Sequence, residues 1–386
     1  MSSIYLSTRL TTLRETAQQI ATTIAAPRAA EVDTERIWPE HTLRALGEAG
    51  LLGLHVPEDL GGRGEGMLAL AMLTEVLGQA CSSSAICYGM HCVATATIAA
   101  KPSAWHEERY LQPIAAGKHI TTLSLSEPGT GVHFYVSSTA LEADGDDFLV
   151  RGLKHFVTNG GHADSYVVST LASETAVGEF NCVLVDRDAP GVRWSGTWDG
   201  LGMRGNAAIT MNLEEARVPR LNLLGDEGDQ TWYVFEVIAP YFLTAMAGTY
   251  LGIAQAALDF TINHVRTRLY TASGESPANS DIVQHRIGAL WGRVEAARQL
   301  LYAAAYAGDT GDPAALPSIL SSKSEVSQVA VDVVNEAMAL CGGIAYRDNS
   351  VLARLLRDVR ASHVMAPTTD LLRLWTGRAL LGQPLL

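Results

Sequence analysis

Hydrophobic positions along the 386 residues change period twice. Up to about residue 118 they recur every three to four positions. Leu10, Leu13, Ala17, Ile20 and Ile24 share one helical face, and Thr42-Leu43-Arg44-Ala45-Leu46 opens a second amphipathic run that stops at Gly50. A breaker-rich loop, Val56-Pro57-Glu58-Asp59-Leu60-Gly61-Gly62, separates these from an apolar helix over Leu68 to Gln79 and a small-residue helix through Ser84, His91 and Ala99. From 119 to about 226 the period shortens. Phe148-Leu149-Val150, Ser165-Tyr166-Val167-Val168 and Asn181-Cys182-Val183-Leu184-Val185 read as strands, separated by Asp144-Gly145, Gly160-Gly161 and Pro190-Gly191. From 227 onward the helical period returns, over Phe235 to Leu269, Ile282 to Ala307, Ile319 to Leu340 and Thr368 to Leu381. The pattern predicts an α+β chain in three parts. Residues 1–118 are an all-α domain, 119–226 an antiparallel β-barrel or sandwich, and 227–386 a four-helix bundle.

Composition narrows the function classes. A 47% hydrophobic and 18% charged chain is globular, and a net charge of −13 removes the basic face that nucleic acid or an anionic membrane would need. Cys81, Cys87, Cys92, Cys182 and Cys341 form no Cys-x-x-Cys pair and no metal-ligand cluster, so no metal is expected. Met1 to Ile20 lacks the apolar core of a secretion signal, and no uninterrupted apolar run reaches membrane-spanning length. The expectation is a soluble, cytoplasmic protein with reduced thiols. No Gly-x-Gly-x-x-Gly follows a strand, which leaves nicotinamide binding of the usual kind unsupported.

The chemistry concentrates between Leu123 and Asn159. Leu123-Ser124-Leu125-Ser126-Glu127-Pro128-Gly129-Thr130-Gly131 is a strand entering a turn whose glycines let backbone N–H groups approach a ligand. Lys154-His155-Phe156-Val157-Thr158-Asn159-Gly160 is a β-run carrying an aromatic and a hydroxyl, closed by an Asn-Gly turn. Together they offer two edges for gripping a flat ring.

These two segments resemble the flavin-binding middle domain of the acyl-CoA dehydrogenase superfamily, with its Thr/Ser-Glu-Pro-x-x-Gly and Lys-x-Phe/Trp-x-Thr-Asn motifs. The Val-Pro-Glu-x-x-Gly-Gly loop and the order helical domain, β-domain, bundle resemble it as well. The resemblance implies that Leu125 and Ser126 meet the pyrimidine edge of the flavin, with Gly131 in the adjoining turn. It implies that Phe156 and Thr158 cover one ring face, and Thr368 is counted with these contacts. Gly342-Gly343 with Tyr346 resembles a motif that holds the diphosphate and adenosine of a neighbouring subunit's flavin, although Ala339 and Ala345 depart from it. Arg268 matches a diphosphate-clamping arginine, followed here by Thr271-Ala272 where the family has Phe-Gly. In the turn, Val132-His133 replaces Ser-Asp. FAD is implied ahead of FMN, in a homodimer or homotetramer.

Two departures bear on the reaction. Ala366 stands where the family's common catalytic glutamate belongs, and Phe242 at the alternative glutamate position; neither accepts a proton. The Asp-x-x-Arg that helps hold acyl-CoA becomes Pro240 and Leu243. Asp370 reads as an ordinary first-turn carboxylate of the last helix. Met365-Ala366-Pro367 looks closer to the superfamily's flavin-dependent monooxygenases, whose site reads His-Asp-Pro in some members. The leading expectation is a two-component monooxygenase, taking FADH2 from a separate flavin reductase and O2 to hydroxylate a small, aromatic or amine substrate. His91 and His363 are its candidate catalytic groups, against the plainer roles of a packed helix histidine and a capping or solvent-facing one. An acyl-CoA or acyl-carrier dehydrogenase with a displaced base is the alternative, and a flavin-binding scaffold without activity the third.

Overall fold

The computed structural model describes residues 7–172 and 179–386; the first six residues of the Met1 to Ile20 stretch lie outside it. Helix α1 (Thr8–Ile20) starts at Ser7, whose hydroxyl accepts from Leu10 N at 3.2 Å, and it buries Leu10, Leu13, Ala17 and Ile20 as their spacing predicts. A π-type turn (Ala21–Ala25) leads into α2 (Ala26–Thr34), followed by α3 (Glu40–Glu48). Helices α4 (Met67–Ala80) and α5 (Ser82–Ala100) are buried nearly all round, and the short α6 (Ala104–His106) and α7 (Gln112–Ala115) lead to the sheets.

The middle of the chain forms two open sheets. One has the order β1 (Thr121–Ser124), β4 (Ser165–Leu171), β5 (Phe180–Asp186), and the other β2 (Ala140–Asp144), β3 (Asp147–Val157), β7 (Ile209–Pro219), β6 (Val192–Ser195). They face each other across Val150, Met211 and Leu213 on one side and Tyr166, Val168, Val183 and Val185 on the other. The sandwich half of the expectation holds and the closed barrel does not. Strict antiparallel order also fails, because β1 pairs with β4 in parallel, Thr121 opposite Ser165. The reason is that β1 packs against α5, so a helix covers the edge that a barrel would have closed with another strand.

Beyond the sheets come α8 (Gln230–Trp232), a π-type turn (Tyr233–Ile238), α9 (Ala239–Thr267), α10 (Asp281–Asp309) and α11 (Ala315–Cys341). The chain then ends with α12 (Val351–Val359), α13 (Ala361–Val364) and α14 (Thr369–Leu380). Helix α9 packs on α4, α5, α10 and α11. Gly78 marks how close α4 comes to α9, since a Cβ there would lie 2.5 Å from Thr249 O. The sequence expectation about apolar length needs correction. The continuous helical run Gln230–Thr267 is long and apolar enough to cross a membrane, but 83% of its most apolar window is buried within this protein. Its apolarity belongs to the bundle core. Helix α4 carries no side-chain cap of its own; Asp309, at the end of α10, accepts from Met67 N (2.6 Å) and Leu68 N (2.9 Å).

Candidate active site

Strand β1 delivers Leu125 and Ser126 to the mouth of the sandwich, and Ser126 O accepts from His155 N at 2.9 Å, joining the two singled-out segments. Gly129 and Gly131 have φ of +85° and +56°, and a Cβ on either would meet no atom within 4 Å. Backbone conformation, not crowding, requires glycine at both, and the turn faces open space. In β3 the register slips between Lys154 and Val157, and Phe156 takes φ +55°. The ring is thereby left 66% exposed, edge-on to Trp198 at 6.2 Å. An exposed aromatic beside open backbone fits the flat ring of a flavin. Thr158 is buried, its carbonyl accepting from Thr122 Oγ1 at 3.0 Å. Asn159 anchors the following turn, taking a bond from Trp38 Nε1 (2.8 Å) and giving one to Cys87 O (2.9 Å).

The strongest polar feature was visible in both motifs yet assigned no role by the sequence reading. Glu127 and Lys154 form a buried ion pair at 2.5 Å, with side chains 1% and 0% exposed. Glu127 also accepts from Ser137 Oγ (2.6 Å), Ser138 N (2.6 Å), Ser138 Oγ and Thr139 Oγ1 (2.7 Å). Lys154 also donates to Ser169 O (2.6 Å) and Ser169 Oγ (2.9 Å). Burial alone would raise the Glu127 pKa, but the Lys154 charge and the hydroxyl donors outweigh it and hold it at about 2. Burial pulls Lys154 down to about 8 against the pull of Glu127, so the pair is ionised at neutral pH. A glutamate in the first motif and a lysine in the second were the available signal.

Among the described residues neither candidate histidine side chain hydrogen-bonds to Leu125, Ser126, Phe156 or Thr158. His91 is fully buried in α5: Nε2 donates to Leu52 O at 2.9 Å and Nδ1 accepts from Thr121 N at 3.1 Å. Both nitrogens are taken by backbone, so the imidazole ties the loop after α3 to the first residue of β1. His363 sits in α13, half-buried, and burial lowers its pKa with Arg360 next in effect. Its Nε2 is buried with no hydrogen-bond partner among the described residues.

Burial puts the pKa of both His91 and His55 at about 4. Unfolded histidine titrates near pH 6.5, so the stability these groups contribute is complete above that value and is lost as pH falls toward 4. Two such groups give a slope approaching about 2.7 kcal/mol per pH unit. Urea midpoints measured from neutral pH downward should show it, and His91→Asn should roughly halve it.

The loop between α13 and α14 carries the departures. Ala366 is half-buried against the apolar core, as is Phe242 on α9, so neither family glutamate position offers a carboxylate. Tyr250 on α9 donates to Met365 Sδ at 3.0 Å. Thr368 caps α14, accepting from Leu371 N at 3.4 Å, and Asp370 lies exposed in the first turn of that helix. Lys323 of α11, fully buried, donates to Ser362 O (2.8 Å), Met365 O (3.1 Å) and Pro367 O (2.9 Å).

Arg268 and Gly342-Gly343 follow the C-terminal ends of α9 and α11, two helices that pack on each other. Arg268 closes α9 with its guanidinium over Tyr270 (5.6 Å), and Gly342 closes α11 with φ +67°. Cys341 Sγ lies 3.7 Å from Thr261 Oγ1, joining the two helix ends. Among the described residues no hydrogen bond or ion pair links this group to Leu125, Ser126, Gly131, Phe156 or Thr158. Nor do the described residues include a group of three His, Cys, Asp or Glu placed to hold a metal ion.

Comparison with known proteins agrees with this geometry. Residues 7–118 match the family model "Acyl-CoA dehydrogenase, N-terminal domain", 122–216 the middle domain and 243–381 the C-terminal domain. The chain is 30% identical to the cyclohex-1-ene-1-carbonyl-CoA dehydrogenase of Geobacter metallireducens, over 94% of this chain and 96% of that protein. It is 28% identical to a probable acyl-CoA dehydrogenase of Bacillus subtilis, over 96% and 97%. An acyl-CoA dehydrogenase structure from Geobacillus kaustophilus superposes with a TM-score of 0.90 at 26% identity, covering 98% of this chain and all of that one. These relatives are dehydrogenases, and they lend no support to the monooxygenase expectation. The family binds FAD. The chain belongs to the acyl-CoA dehydrogenase superfamily and is a flavin-dependent oxidoreductase of that fold.

Proposed function

We propose that the protein is an acyl-thioester dehydrogenase, acting on an acyl-CoA or an acyl group held on a carrier, with its proton transfer displaced from the usual carboxylate. The supporting observation is likeness along nearly the whole chain to enzymes named for oxidising acyl-CoA. Bound FAD supplies the hydride acceptor. The chain's own part is to hold the ring between Leu125-Ser126 and Phe156-Thr158, and to keep the apolar surfaces of Ala366, Phe242 and Met365 beside it. With Ala366 and Phe242 unable to accept a proton, the α-proton leaves to solvent, and this favours acyl groups whose α-position is already activated. Apolar Pro240 and Leu243 give no charge to coenzyme A, which favours recognition of the thioester arm over the nucleotide. Arg268 and Gly342-Gly343, at the C-terminal ends of α9 and α11, serve a second copy's diphosphate in a homodimer or homotetramer.

No geometric feature favours hydroxylation, with its oxygen and separate flavin reductase. The test is anaerobic: FAD-loaded protein is mixed with a panel of acyl thioesters, and loss of the visible flavin band is followed. Bleaching by a thioester, and not by the corresponding free acid, is the expected result. A panel that leaves the flavin oxidised, with oxygen-dependent hydroxylation of free small molecules by the reduced protein, would overturn the proposal.

A further inference from the structure

Lys323 is a fully buried cation on α11, and its three N–H bonds match three backbone carbonyls, those of Ser362, Met365 and Pro367. All three belong to the segment that ends at Thr368. Resting on the flavoprotein reading above, which sets the loop from Ser362 to Thr368 beside the flavin, we propose that Lys323 is the positioning residue of that loop, and that its protonation sets how tightly the protein holds FAD.

No ion pair of the described residues includes the ammonium; α12, which packs on α11, carries Arg354, Arg357 paired with Asp33, and buried Asp358, which accepts from Met203 N at 2.6 Å. On α11 itself, Ser327 Oγ also reaches Ser362 O, at 3.4 Å, and Glu325 pairs with Arg373 of α14 at 3.7 Å, half in solvent. Helix α13 contributes His363, whose pKa is lowered, while Arg360 and Asp370 are exposed. Helix α9 brings Tyr250, which burial keeps protonated. Helix α10 pairs Arg293 with Asp332, about two and a half turns further along α11. None of the hydrogen bonds or ion pairs of the described residues gives Lys323 a carboxylate. Burial without a counter-ion pulls its pKa down to about 7. Loss of one proton leaves two N–H groups for three carbonyls, and one carbonyl then faces a lone pair. The loop relaxes at that point, and the cap residue Thr368 moves with it.

The test is FAD affinity of the flavin-stripped full chain, from fluorescence titrations between about pH 6 and pH 9. The wild type is expected to lose about tenfold in affinity through a single transition near neutrality, as befits one charge-assisted hydrogen bond. Lys323→Met should sit at the weak end without a transition, and Lys323→Arg should keep the tight value at high pH. Thermal melts of each stripped variant establish that it is folded; if Lys323→Met does not fold, the wild-type profile and Lys323→Arg decide. A flat wild-type profile, or a folded Lys323→Met with wild-type affinity, overturns the proposal. No thioester is present in this assay, so its result and that of the flavin-bleaching experiment fail separately.

Discussion

Lys154→Met is expected to destabilise the folded chain by about 3–5 kcal/mol, because it leaves the Glu127 carboxylate buried without its cation. The side chain of Glu127 is 1% exposed, so water does not replace the ammonium. Ser137, Ser138 and Thr139 still donate to it, which holds the loss near the lower end of that range. The double replacement Glu127→Gln with Lys154→Met should recover much of the loss, since two neutral side chains of similar volume remove the uncompensated charge. Chemical denaturation of the wild type, both single variants and the double variant checks this as a thermodynamic cycle; additive losses would refute a coupled pair. The same pair predicts an acid dependence. With the Glu127 pKa depressed to about 2, its contribution is whole above the unfolded carboxylate pKa of about 4.3 and is lost as pH falls toward 2. Because Glu127 leads into the glycine turn and Lys154 lies two residues before Phe156, the single variants should also weaken FAD binding.

Ala366→Glu is expected to raise the rate of flavin reduction by a simple acyl-CoA by about 10²–10⁴-fold, the usual contribution of a placed general base. The methyl group of Ala366 is half-buried against the apolar core in the loop to which Lys323 and Tyr250 both bond. A carboxylate built there stands where relatives of this fold take the α-proton, on the resemblance drawn from the sequence. Rapid anaerobic mixing with butyryl-CoA, comparing wild type with the variant, gives the ratio directly. An unchanged rate, with the variant folded and FAD-loaded, would mean that the thioester does not reach the ring in a reactive pose. Leu243→Arg on the same background then separates poor coenzyme A binding from poor alignment.

The helical period and the strand-turn alternation located the long elements within a few residues, because α1 and α11 bury one face that leaves regular spacing, while α5 and most of α9, buried nearly all round, show as long runs of apolar and small residues. The open sandwich and the parallel β1–β4 pair were not legible, since they depend on α5 covering an edge, a contact between residues far apart in sequence. Helix α12 (Val351–Val359) was missed although its signal was present: Ser350 caps it, accepting from Ala353 N at 2.9 Å, and Leu352, Leu355 and Val359 form its buried face. At the site, the turns of the two singled-out segments could be read locally, with Gly129 and Gly131 at positive φ, while the role of gripping a ring came from the resemblance alone. His91 could not, because the helix periodicity that buries it says nothing of the Thr121 N–H and Leu52 carbonyl that occupy its nitrogens. Lys323 likewise looks like an ordinary helix lysine until the chain returns some 40 residues later to bring three carbonyls to it.

The cap on α4 couples Met67 and Leu68 to Asp309 in the order of synthesis as well as in space. During synthesis the first turn of α4 leaves the ribosome more than 200 residues ahead of the aspartate that completes it. Until Asp309 arrives, Met67 N and Leu68 N bond to water, and the apolar faces of α4 and α5 wait for α9. The native surroundings of α4 and α5 are therefore complete only with α9 and α10 in place, so the N-terminal helices are not packed as a unit separate from the bundle.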